Sequence, residues 1–89
     1  METSEARLKR MAMRSWRRGT KEMDLVLGPY ADVMLSGMSL AELDAYDSLL
    51  EESDPDLMAW MMGQKVVPLA HEPLIKALSS FSESRLRKI

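Results

Sequence analysis

Apolar residues recur every three or four positions through most of this chain, and the polar residues between them fall where helices start and stop. Leu8, Met11, Ala12, Ser15 and Trp16 lie near helical spacing among basic residues, which predicts an amphipathic helix over 4–18 opened by Ser4. Arg17 and Arg18 stand in its last turn, where cations suit the carbonyl end of the helix dipole. Gly19 takes the place of a left-handed terminating residue, since it has no Cβ to clash there. Thr20 is the expected N-cap of a second helix, with Glu22 and Asp24 in its first turn. Met23, Val26, Leu27, Tyr30 and Met34 form its apolar face. Gly28-Pro29 interrupts that face, and because an interior proline costs about 3 kcal/mol a kink or restart is expected there.

The second helix fades at Ser36-Gly37, and Ser39 to Glu42 ("SLAE") reads as a capping box for a third. Leu40, Leu43, Tyr46, Leu49 and Leu50 should face inward from it. In "SDPDLMAWMMG" Asp54 is the expected cap, Pro55 fits the first helical position, and Asp56 adds charge at the amino end. Leu57, Trp60 and Met61 make the inner stripe of this fourth helix, which Gly63 closes. A connector, "QKVVPLAHEP", leads to a fifth helix with Leu74, Ile75, Leu78 and Phe81, while 83–89 are expected to fray. The strand-like run "KVVPL" contains Pro68, which demotes it. The pattern as a whole predicts an all-α fold, a compact bundle of about five short helices with an ordered core over 4–82.

Composition narrows the function classes. At 89 residues the chain suits one domain with one small core, and its 46% apolar and 29% charged residues are those of a globular protein. It has no cysteine, which removes disulfides, thiolate metal sites and cysteine nucleophiles, and fits a reducing compartment. Apolar runs are too short to span a bilayer. Arg7, Lys9, Arg10 and Arg14 break the first apolar stretch and Glu2 and Glu5 stand among them, so neither a secretory signal nor a transit peptide is expected.

Charge is polarised along the chain. Arg7, Lys9, Arg10, Arg14, Arg17, Arg18 and Lys21 crowd the first quarter, while Met23 to Gln64 holds nine acids and no Lys or Arg. Mutual neutralisation inside the folded domain is the simpler account of this, and a docking surface for a charged partner the sharper one. The basic helix carrying Trp16 invites a nucleic-acid reading, but a pI near 5.3 and the acidic belt oppose it, so a solvated basic face is preferred.

Catalytic chemistry finds little support. His71 is the one histidine, lies among prolines in a connector, and is expected to be exposed and without function. Glu51, Glu52, Asp54 and Asp56 lack the alternating donor loop of a calcium site and look committed to a helix end and a cap. There is no glycine-rich phosphate loop. The nine methionines suit a core at helical spacing, with Met58 and Met62 the candidates for exposure.

"RRGTKEMD", residues 17–24, is explained by helix termination alone, or by a surface pressed against another protein. Taken together with "SDPDLMAWMM" it resembles the SdhE family of flavinylation factors. That family carries Arg-Gly-x-x-Glu after its first helix, here Arg18, Gly19, Thr20, Lys21 and Glu22, often preceded by arginine (Arg17) and followed by an acid (Asp24). Its Asp-Pro-Asp-Leu and tryptophan pattern falls on Asp54, Pro55, Asp56, Leu57 and Trp60. The resemblance spans roughly 5–80 and is weakest over the connector at 65–73.

It implies an assembly factor, not an enzyme, that binds the flavoprotein subunit of succinate dehydrogenase, and of fumarate reductase as a further candidate, and promotes covalent attachment of FAD. No cofactor would be bound stably, because FAD belongs to the client. The resemblance further implies a monomer, in the bacterial cytoplasm or the mitochondrial matrix, with Arg17, Arg18, Gly19, Glu22 and Asp24 as partner-binding residues. On that view Arg18 offers its planar fork to a partner's carboxylates or carbonyls, and Glu22 either orients it or meets a basic group across the interface. Competing classes are a helical nucleic-acid-binding module and a general interaction module of the toxin-neutralising type.

Overall fold

The computed structural model describes residues 2–87, and among these it forms five α-helices and one 3-10 turn. They are α1 (Ser4–Trp16), α2 (Lys21–Met34), the 3-10 turn Leu35–Gly37, α3 (Leu40–Leu50), α4 (Asp54–Met61) and α5 (Glu72–Arg87), with no strand among the described residues. The radius of gyration is 12.6 Å, close to the roughly 12 Å of a compact domain of this length. The all-α bundle expected from the pattern is what forms.

Helix starts follow side-chain chemistry. Thr20 Oγ1 accepts from Met23 N at 3.3 Å, and Ser39 and Glu42 close a reciprocal box at 3.2 and 2.9 Å. Two caps sit one residue earlier than expected. Thr3, not Ser4, accepts from Ala6 N at 3.0 Å, and Ser53, not Asp54, accepts from Asp56 N at 3.3 Å. In each case a residue with an extended backbone and a hydroxyl directly precedes the expected one and takes the role. The second shift matters, because it releases the Asp54 carboxylate for other use.

Gly63, at φ 73°, ends α4 as the one described residue in the left-handed region; Gly19 is not in it, so the α1–α2 turn closes without that conformation. α2 runs through Pro29 without a restart. A proline leaves the carbonyl four residues back without its amide donor; here that carbonyl belongs to Leu25 and accepts from Arg85 Nη1 of α5 at 3.3 Å. The helix that carries Arg85 extends to Arg87, into the stretch 83–89 expected to fray, of which residues 88–89 lie outside the described part.

The core gathers Met11 from α1, Met23, Leu27 and Tyr30 from α2, Leu43, Tyr46 and Leu49 from α3, Leu57 and Trp60 from α4, and Ile75 and Leu78 from α5. Tyr30 packs between Tyr46 and Phe81, with ring centroids 5.9 and 5.5 Å away. The Tyr46 hydroxyl is 2.7 Å from Ser15 Oγ, which bonds the Met11 carbonyl at 2.8 Å; burial pushes the Tyr46 phenol up to about 12. Leu40 and Met34, expected inside, lie exposed at the helix ends, and Ala31 and Leu35 supply the inner face of the α2 end instead.

Across the outside of this core, α1 and α3 run parallel. Arg7 meets Asp44 at 2.6 Å, Arg10 meets Asp47 at 2.7 Å, Arg14 meets Glu51 at 2.6 Å and Arg18 meets Asp54 at 2.9 Å. Steps of three and four residues on both sides keep the pairs in register. The polarised halves of the sequence therefore neutralise each other along one seam.

Candidate functional site

The last pair in that seam differs from the others in being buried. The Arg18 and Asp54 side chains are each 8% exposed, whereas the remaining seam pairs lie at the surface. Arg18 Nε donates to Asp54 Oδ1 at 2.9 Å, Nη1 to the Leu50 carbonyl at 2.7 Å and Nη2 to the Glu52 carbonyl at 2.6 Å. The guanidinium thus caps the carbonyl end of α3, where positive charge is favoured, while Asp54 sits at the amino end of α4, where negative charge is favoured. The other Asp54 oxygen, Oδ2, accepts from Thr20 N at 2.8 Å and Thr20 Oγ1 at 3.1 Å. Arg18 N donates to Asp24 Oδ1. A buried pair satisfied this fully is expensive to break, about 3–5 kcal/mol when one member is removed.

The α1–α2 corner is therefore tied to α3 and α4 from beneath and open from above. Arg17, Gly19, Thr20, Lys21 and Glu22 are exposed. Arg17, Lys21 and Glu22 have no side-chain partner in the described chain. A Cβ on Gly19 would lie 3.4 Å from Asp54 Oδ2, an ordinary contact, so the glycine is not demanded by crowding there. Of the five residues expected at a partner surface, Arg17, Gly19 and Glu22 face outward. Arg18 and Asp24 instead make the internal bonds just described.

Beside the corner stands a residue that periodicity had put in the core. Trp16 is 40% exposed, lies flat over Gly28 and donates from Nε1 to Asp32 at 3.1 Å. Helical spacing alone places it on the inner stripe; Gly28, by leaving α2 bare, was the signal that an indole could cross there instead. Leu25 on α2 and Met13 on α1 are also exposed.

His71 is not exposed. It is 6% accessible, its Nε2 lies 3.0 Å from Glu52 Oε2, and its ring packs against Trp60 at a centroid distance of 5.6 Å. Glu52 thus holds the connector with its side chain and Arg18 with its carbonyl. Nothing in local sequence tells that a histidine between prolines meets an acid nineteen positions away. Met62 is exposed, as anticipated, whereas Met58 is half-buried against the core. Among the described residues no His, Cys, Asp and Glu group is placed to hold a metal ion, and no helix is long and apolar enough to cross a membrane.

Comparison with known proteins places this geometry. Residues 9–82 match the family model described as flavinator of succinate dehydrogenase. The FAD assembly factor SdhE of Aliivibrio fischeri is 39% identical over 72 residues, covering 80% of this chain and 84% of that protein. The mitochondrial succinate dehydrogenase assembly factor 2 of Yarrowia lipolytica is 32% identical over 99% of this chain and 64% of its own length. That of Saccharomyces cerevisiae is 39% identical over 90% of this chain and 52% of its own. The chain accordingly spans most of the bacterial relative and between half and two thirds of these two mitochondrial ones. The matched region contains both the corner and the start of α4.

Proposed function

This chain belongs to the family of succinate dehydrogenase flavinators, and from that membership we propose that it is an assembly factor that seats on the flavoprotein subunit of succinate dehydrogenase and promotes covalent attachment of FAD to it. The observation that carries the reading is the corner itself, an outward Arg17, Gly19 and Glu22 held on a fully bonded base. Charged side chains without internal partners, fixed on a rigid support, are what a docking surface needs. They orient an encounter, and the backbone that carries them is already held in place before binding.

Its contribution is positional. Bound to the immature subunit, the bundle holds the client in the arrangement that brings flavin and acceptor side chain together, and proximity accounts for the gain in rate. FAD remains the client's. The histidine of this chain is engaged with Glu52 in the interior and is not offered to a flavin. The same surface would serve the flavoprotein subunit of fumarate reductase, and the chain would act as a monomer, in the cytoplasm of a bacterium or the matrix of a mitochondrion.

Cells with and without this gene are compared for covalent flavin fluorescence in the denatured flavoprotein subunit; the signal should fall in its absence, and unchanged flavinylation rejects the proposal. Arg17→Glu and Glu22→Lys, which touch no internal partner and lose only a favourable helix-dipole contact, should lower the melting temperature by about 5 °C or less and weaken client binding tenfold or more.

A further inference from the structure

We infer that Arg18 and Asp54 are positioning residues for the corner, joined as one device, and that neither touches the client. The inference rests on the reading that the corner seats on a flavoprotein subunit, and it assigns the motif's arginine a role different from that of its neighbour Arg17. At 8% exposure Arg18 has little surface to offer, and every guanidinium nitrogen already has an acceptor within 2.6–2.9 Å. To reach a partner it would have to leave Asp54 unpaired inside the molecule. Asp54 is equally covered, and its two oxygens accept from Arg18 Nε, Thr20 N and Thr20 Oγ1.

The consequence of these bonds is geometric. Thr20 N–H belongs to the peptide that follows Gly19, so the Asp54 carboxylate fixes the backbone of the outward surface directly. Arg18 fixes Asp54 and, through the Leu50 and Glu52 carbonyls, the segment that delivers Asp54 to the start of α4. This is why the Arg-Gly stretch and the Asp-Pro-Asp stretch, 36 positions apart, occur in one chain. Lysine cannot substitute, because one ammonium on a flexible stem does not span three acceptors in a plane. Asparagine cannot replace Asp54, because its NH2 would face one of three donors that an acceptor-only carboxylate satisfies.

The test is a cycle of Arg18→Lys, Asp54→Asn and the double variant, read as Kd for the flavoprotein subunit lacking covalent flavin, with circular dichroism as the check on folding. Each single variant should weaken binding about tenfold or more, and the double variant no further than the weaker single, since both act through one device. Losses that multiply in the double variant, or singles that bind as the parent does, overturn the inference. Should these variants fail to fold, the unmodified chain answers. With arginine Nε labelled, the Arg18 Nε–H resonance should keep its position when the client binds, while that of Arg17 moves; a shift of Arg18 comparable to that of Arg17 overturns it. Arg17→Glu and Glu22→Lys separate the two readings. If they bind normally, the corner is not the docking surface; if they lose binding while Arg18→Lys and Asp54→Asn keep it, only the positioning role falls.

Discussion

At the scale of single residues, the hairpin of α1 and α2 depends on one missing Cβ. A methyl group on Gly28 would lie 2.3 Å from Trp16 Cδ2 and 2.5 Å from Cε2, inside any permitted contact. Helix propensity argues the other way, since alanine is favoured over glycine in a helix interior by about 1 kcal/mol. The steric effect should win. Trp16 is half-exposed and can swing outward, but it then forfeits its packing on α2 and the bond to Asp32, together worth more than the propensity gain. Gly28→Ala should therefore lower unfolding free energy by about 1–2 kcal/mol and shift the Trp16 indole N–H resonance. In a Trp16→Ala background the same substitution should become stabilising. Denaturant titrations of the four proteins decide it; a Gly28→Ala that stabilises the parent removes the argument.

At the scale of elements, α2 contains a proline and still runs unbroken from Lys21 to Met34. Part of the compensation comes from α5. Pro29 withdraws an amide from the Leu25 carbonyl, and Arg85, sixty positions further along the chain, donates in its place. The contact is exposed and modest, so Arg85→Ala should cost only about 0.5–1 kcal/mol. Its dependence on the proline is the sharper point. With Pro29→Ala, residue 29 regains its own N–H, Leu25 no longer needs a donor, and Arg85→Ala should become neutral within about 0.3 kcal/mol. Thermal unfolding of the four variants measures that coupling. An Arg85→Ala effect of equal size in both backgrounds would mean that Arg85 acts elsewhere.

At the scale of the whole molecule, periodicity revealed more of the fold than of the site. Helix number and order were legible because Thr20, Ser39, Pro55 and Gly63 mark boundaries by local chemistry. Periodicity also names a helix's apolar face, but not which charged neighbour turns inward. Arg17 and Arg18 are adjacent and alike, and only the arrival of Asp54 from the far side of α3 separates one from the other. The burial of His71 is hidden for the same reason, since its partner Glu52 comes from a distant turn. What the sequence did hold was the charge polarity, whose outcome is the α1–α3 seam. With Arg7, Arg10, Arg14 and Arg18 paired there, the basic helix has little left for a phosphate backbone. The seam also sets how stability responds to acid. Asp47 is held below its ordinary carboxyl value chiefly by the Arg10 hydrogen bond, which outweighs the opposing effect of burial, and the charges of Arg10, Arg7 and Arg14 add to the lowering. Glu2 is lowered chiefly by its own hydrogen bond to Arg10. A carboxyl whose value is lower folded than unfolded contributes fully above the unfolded value and loses that contribution as pH falls through the folded one. The melting temperature should thus stay level from about pH 7 to 5 and decline below about pH 4. Asp47→Asn should lower the plateau slightly and flatten the acid limb. It should not abolish the decline, because Glu42, lowered by the Ser39 amide it accepts from, titrates in the same direction. Melting curves at stepped pH measure both limbs, and an acid limb as steep in Asp47→Asn as in the parent would show that the seam does not govern it.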